Sequence, residues 1–174
     1  MAAVLFILNA LLTLVVVAFL LRALMPLVRA DFRNPLGQAV LQFTDPLVRP
    51  LRRVLGPAGR VDVASIVAVL LVQFASTALL TLVAGAGFTF TVTLVAALRM
   101  LAQTVLSLFS VALLAYVVLS WIAPGAYSPA TRMLGALCEP LLRPVRRVIP
   151  PIAGLDLAPV FVLIGLQALQ LVLR

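Results

Sequence analysis

The sequence predicts an all-α membrane protein in which four transmembrane helices form two parallel helical-hairpin repeats with short interfacial helices. Three observations carry this prediction. Apolar residues make up 64% of the 174 positions and charged residues only 10%, whereas soluble domains are about half apolar and a quarter charged. The positive charge is gathered in two segments. The chain also matches itself when slid by 94 residues. A water-soluble fold of this size would leave much of that apolar surface exposed.

The first apolar run extends from Ala2 to Leu21 and continues past Arg22 to Val28, which gives a first span over residues 2–28. Arg22 has a long stem and is expected to snorkel its guanidinium to the headgroup layer. No basic segment precedes this run and no small-residue cleavage site follows it. It therefore reads as a retained span and not as a signal peptide.

From Arg29 to Arg60 the chain turns basic and proline-rich. Leu36, Val40, Phe43 and Leu47 recur there at helical spacing, which predicts a short amphipathic helix along the membrane surface. The second span covers residues 61–84, with Asp62 at its start. Residues 81–94 form a connector, whose uncharged, Thr-rich part at 85–94 carries Gly85 and Gly87. The third span covers residues 95–122 and places Trp121 where indole rings prefer to sit, at the interface. Pro124, Gly125 and Pro129 then break the helix. A second basic loop follows with Arg132, Arg143, Arg146 and Arg147, and the fourth span covers residues 155–173.

Residues 34–73 align on 128–167 without a gap and share 12 identities, among them Arg49, Arg52, Arg53, Pro50 and Asp62 with their partners 94 positions later. Leu, Val and Ala match readily by chance; Arg, Pro and Asp do not. The chain thus divides into copies 1–80 and 95–174. Each copy holds two spans, so the second enters the membrane from the same side as the first, and the repeats are parallel. Eleven of the 13 Arg lie in the segments 22–60 and 132–147, and the chain has no Lys. The positive-inside rule puts both segments on the cytoplasmic side of the membrane and both termini outside.

In each copy three Arg fall at i, i+3 and i+4: Arg49, Arg52 and Arg53, then Arg143, Arg146 and Arg147. Such a cluster serves either as a topology signal or as a contact for anionic lipid headgroups or a partner protein, each Arg adding about 1 kcal/mol near an anionic surface. Pro50 and Pro144 predict a kink or two short turns instead of one continuous helix. Asp62 and Asp156 open spans and are candidates for helix capping or ion pairing. Asn9, Gln73, Gln103 and Gln167 are intramembrane polar candidates, either for hydrogen bonds between helices or for a pore lining.

The chain has one cysteine, Cys138, and no histidine, so an internal disulfide is excluded. No metal cluster, phosphate loop or nucleophile motif is present, so no catalytic residue, cofactor or metal ligand is assigned and no enzymatic activity is expected. Nucleic acid is not expected as a partner, because the basic segments lack interleaved aromatic residues.

The segments YVVLSW (116–121) and SPATRMLGALCEPLLRPVRRVIPPIAGLDLAPVFVLIGLQAL (128–169) closely resemble the signature of the YggT family of small bacterial membrane proteins. That family has relatives in Gram-positive bacteria and plastids. Its core pattern is met by Pro140 to Arg147, Ile149 to Pro151 and Gly154 to Pro159, with Ala158 where the family usually has Ser. The first copy departs from it at Gly56, Arg60 and Ser65. The resemblance implies a non-catalytic membrane factor. Plastid relatives are associated with haem attachment to a cytochrome and with nucleoid or division organisation, bacterial ones with osmotic tolerance. The expectation is a membrane assembly or organisation factor that presents its Arg/Pro segments to anionic lipids, to membrane protein partners or within a homo-oligomer. The alternative is an ion or solute conduit that contributes to osmotic-stress tolerance.

Overall fold

The computed structural model describes residues 1–27, 35–56, 62–122, 128–149 and 156–173. Arg29, Arg33, Arg60, Pro124, Gly125, Pro150, Pro151 and Arg174 lie outside the described residues. The described residues form six helices: α1 (Ala2–Leu24), α2 (Pro35–Leu55), α3 (Val63–Val83), α4 (Phe90–Ile122), α5 (Pro129–Val148) and α6 (Ala158–Val172).

Three of them, α1, α3 and α4, are long and apolar enough to cross a membrane. They are apolar on all sides, as helices surrounded by lipid and other helices must be. The 15 residues of α6 rise about 22 Å, short of the roughly 30 Å hydrocarbon core. Its helix starts at Ala158; Leu155, where the sequence predicts the span to begin, lies outside the described residues. The helical geometry of α4 begins at Phe90, so residues 90–94 belong to the helix and not to the connector. Threonine is a poor helix former, but Thr93 is buried here, and packing outweighs propensity.

The turn before α4 is set by glycine. Gly85 takes φ +73°; its N–H donates to Leu82 O and the Ala86 N–H to Thr81 O. This doubly bonded ending of α3 needs a left-handed residue, which glycine supplies without a Cβ clash. Gly56 ends α2 in the same region of backbone space, at φ +65°.

α2 and α5 differ from the other four helices in being amphipathic, and both run continuously through two prolines: Pro46 and Pro50, Pro140 and Pro144. Neither helix divides into two short turns at Pro50 or Pro144. Each proline removes one N–H donor, so the carbonyls of Gln42, Pro46, Ala136 and Pro140 lose their usual partner. The helices persist because burial of one face holds them: Gly37, Thr44 and Val48 in α2, Leu137, Cys138 and Leu142 in α5. α5 also starts from a capping box, in which the Ser128 hydroxyl accepts from the Thr131 N–H at 3.1 Å and the Thr131 hydroxyl accepts from the Ser128 N–H at 3.0 Å.

Packing gives two three-helix units. α1, α2 and α3 contact one another, as do α4, α5 and α6 by way of α4·α5, α4·α6 and α5·α6; α3 and α1 both touch α4. The first core contains Phe19, Val48 and Ala64, and the second contains Leu113, Leu142 and Ala158. These three positions correspond at the offset of 94. Each amphipathic helix lies against the two apolar helices of its own unit.

Candidate functional site

The candidate site is the pair of arginine segments at the ends of α2 and α5. In the first unit Arg52 pairs with Asp62, ten residues on and just before α3. Asp62 caps that helix: its carboxylate accepts from the Ser65 N–H at 3.4 Å and from the Ser65 hydroxyl at 2.7 Å. Burial alone would raise the Asp62 pKa, but the Ser65 and Arg52 hydrogen bonds outweigh it and hold the carboxyl below its usual range.

In the second unit Arg146 pairs with Asp156, donating from Nε at 2.8 Å and Nη2 at 2.7 Å to Oδ2. Its Nη1 reaches Glu139 at 3.1 Å. Burial opposes the Arg146 charge, and the hydrogen bonds it donates to Asp156 and Tyr116 more than restore it, so its pKa is raised. Asp156 sits one residue before the N-cap Leu157, so it is not the cap in the strict sense. Its Oδ1 still accepts from the Ala158 N–H at 3.0 Å, which satisfies one open donor at the start of α6.

The middle Arg of each triplet is thus bound to the helix that follows. The outer two are four apart and share a face. Arg49, Arg53, Arg143 and Arg147 are all exposed. Arg49 makes an i,i+4 pair with Asp45 at 2.6 Å. Arg53, Arg143 and Arg147 form no ion pair among the described residues. α2 also exposes Leu36, Phe43, Leu47 and Val54, so the apolar arc of this helix is wider than the protein itself covers.

Arg22 does not snorkel. Its side chain is 3% exposed, and Nη1 lies 2.7 Å from Asp45 Oδ1. The same nitrogen donates to Thr44 Oγ1 at 2.8 Å and to Leu41 O at 3.2 Å. With acceptors of α2 within reach, pairing competes with solvation in the headgroup layer and wins. Burial would raise the Asp45 pKa; Arg22 first, then Arg49, pull it below the ordinary value of 3.8. Arg22 Nε has no hydrogen-bond partner among the described residues.

The polar mid-helix residues are not equivalent. Gln73 is buried and donates to Thr77 Oγ1 within its own helix at 3.2 Å. Gln103 crosses to α6 and donates to Leu173 O at 2.8 Å. Asn9 and Gln167 are exposed. Asn9, Thr13, Gln73, Ser76 and Thr104 line a cleft of about 10 Å³, room for about one water. Arg99 was no site candidate in the sequence, yet its Nε donates to Leu173 O at 2.5 Å and places a cation at the negative end of α6. Cys138 is buried, and its thiol is pushed up to about 11. No cluster suited to a metal ion occurs among the described residues.

The sequence profile of the CCB3/YggT family matches residues 1–83 and 95–174. The chain belongs to the CCB3/YggT family. An uncharacterised protein of Pseudomonas aeruginosa is 38% identical over 171 residues, covering 97% of this chain and 87% of that protein. The uncharacterised protein YggT of Escherichia coli K12 is 33% identical over 167 residues, covering 95% of this chain and 86% of its own length. No solved structure is significantly similar to the chain. This member of the family is a multi-pass membrane protein with bacterial homologues.

Proposed function

We propose that this CCB3/YggT protein is a non-catalytic membrane assembly or organisation factor, which presents its two arginine segments to anionic headgroups and membrane protein partners. Four spans place it in the bacterial inner membrane, α6 being the shortest and matched by local thinning of the bilayer. The two units are parallel repeats, with α2 and α5 in the cytoplasmic headgroup layer and both termini outside. Support for the duplication comes from the matched core positions and the paired clamps Arg52–Asp62 and Arg146–Asp156.

One observation carries the reading. The clamp arginines fix each segment to the next helix while Arg49, Arg53, Arg143 and Arg147 stay exposed, beside apolar side chains that water would not cover. An amphipathic helix so built favours a surface with both acyl chains and phosphates, and guanidinium forks bind phosphate in a bidentate way. The test is lipid retention. Protein purified in mild detergent should keep phosphatidylglycerol or cardiolipin over phosphatidylethanolamine. The variant Arg49→Gln, Arg53→Gln, Arg143→Gln, Arg147→Gln should lose that preference and remain folded. Equal retention by both proteins would refute the reading.

The second reading, an ion or solute conduit that contributes to osmotic tolerance, draws on the polar cleft between α1, α3 and α4. That cleft has room for about one water in this structure. Liposomes holding the protein should therefore show no cation leak above that of empty liposomes.

A further inference from the structure

The two units join asymmetrically. α3 of the first packs on α4 of the second, and no comparable contact joins α6 to α1 among the described residues. On the α4 side, Leu101, Val105 and Leu108 pack against the first core. Ninety-four positions earlier stand Ile7, Leu11 and Leu14 of α1, which are 58%, 56% and 66% exposed. On the α3 side, the Phe74 ring centroid lies 5.5 Å from that of Phe90, Thr77 Oγ1 lies 3.7 Å from Met100 Sδ, and Gln73 is buried. Their counterparts on α6 are Ala168, Leu171 and Gln167, all exposed. The two surfaces that meet inside the chain therefore occur a second time, unmet, on α1 and α6.

We infer that α6 of one copy receives α1 of a second copy in the membrane plane, as α3 receives α4 within the chain. The contact is head-to-tail, and it generates a closed ring or an open row according to the rotation between copies. It rests on the duplication and parallel arrangement proposed above, since only parallel units present α1 to α6 in the direction in which α4 meets α3. The identical glutamines supply a further reason. An amide that faces hydrocarbon lacks the partners water provides. Gln73 is covered between α1, α3 and α4 and donates to Thr77 of its own helix; a docked α1 removes the Gln167 amide from hydrocarbon in the same way. The occupant is a second copy and not another protein, because the complementary surface is already written in this chain's own α1.

The register predicts the neighbours. Met100 and Thr77 touch inside the chain, and they correspond to Phe6 and Leu171. In a Cys138→Ala background, two differently tagged copies, one with Phe6→Cys and one with Leu171→Cys, are co-expressed and their membranes oxidised with copper phenanthroline. Both positions are exposed, so folding is undisturbed. A disulfide-linked heterodimer carrying both tags is expected, at a yield several-fold above that from Phe6→Cys with Leu114→Cys, which is exposed elsewhere on α4. No heterodimer, an equal yield from the Leu114→Cys pairing, or dimers from Phe6→Cys alone would each overturn the inference. In that case lipid covers both faces. The arginine reading is tested separately, by lipid retention, and does not fall with this one.

Discussion

Arg146 reaches from α5 to Asp156 with Nη2 2.7 Å from Oδ2, and 94 positions earlier Arg52 pairs with Asp62 in the same way. Each pair spans ten residues and ties the end of an amphipathic helix to the start of an apolar one. The second pair is the better measured of the two because both side chains are 29% exposed. Asp156→Asn and Arg146→Gln should each lower stability in detergent by about 1 kcal/mol, as partly exposed ion pairs do. The double variant should lose little more than the worse single one, since both remove the same contact. Thermal unfolding of the three variants measures this; strictly additive losses would separate the two residues.

Arg22 and Asp45 behave differently. Asp45 keeps Arg49 if Arg22 is removed, whereas Arg22 is buried with Asp45 as its carboxylate partner. Asp45→Asn therefore leaves a buried charge without its counter-ion and should cost about 3 kcal/mol. Arg22→Met should cost less, and Arg22→Met combined with Asp45→Asn should recover most of the loss. Chemical or thermal unfolding of the three variants orders them.

The sign of the pH dependence follows from the same carboxylates. Asp45 and Asp62 both have folded pKa values below the ordinary 3.8. Their contribution to stability is complete above that value and is lost as pH falls through the folded ones. The unfolding midpoint should stay level between about pH 7 and pH 5 on this account and fall below about pH 4. Asp45→Asn combined with Asp62→Asn should flatten the acid limb.

Cys138 is buried, and its thiol is pushed up to about 11, so almost no thiolate forms at neutral pH. A water-soluble maleimide should leave the folded protein unlabelled at pH 7.5 and label it fully in hot SDS. Rapid labelling of the folded protein would mean that the second core opens.

Much of this architecture is legible in the sequence because lipid selects long apolar runs. α1 and α3 are such runs, and the helical spacing of Leu36, Val40, Phe43 and Leu47 marks α2. The misreadings share one cause: local rules gave way to packing. The Thr-rich stretch before Val95 resembles a connector, yet Thr93 is buried and α4 starts at Phe90. Pro50 and Pro144 suggest breaks, yet a buried face carries both helices through them. Arg22 looks free to snorkel because its partners Thr44 and Asp45 lie more than 20 residues away. Gln73 and Gln167 are identical in the repeat and opposite in environment, which follows from how the units join. Arg99 gave no signal, since its acceptor is a backbone carbonyl 74 residues distant.

The account as a whole requires both arginine segments at one surface of the membrane. Single cysteines at Arg53→Cys and Arg147→Cys, in a Cys138→Ala background, report this through an impermeant maleimide applied to spheroplasts and to inside-out vesicles. Labelling of both positions in inside-out vesicles alone is the predicted result. Labelling of one position from each side would contradict the account.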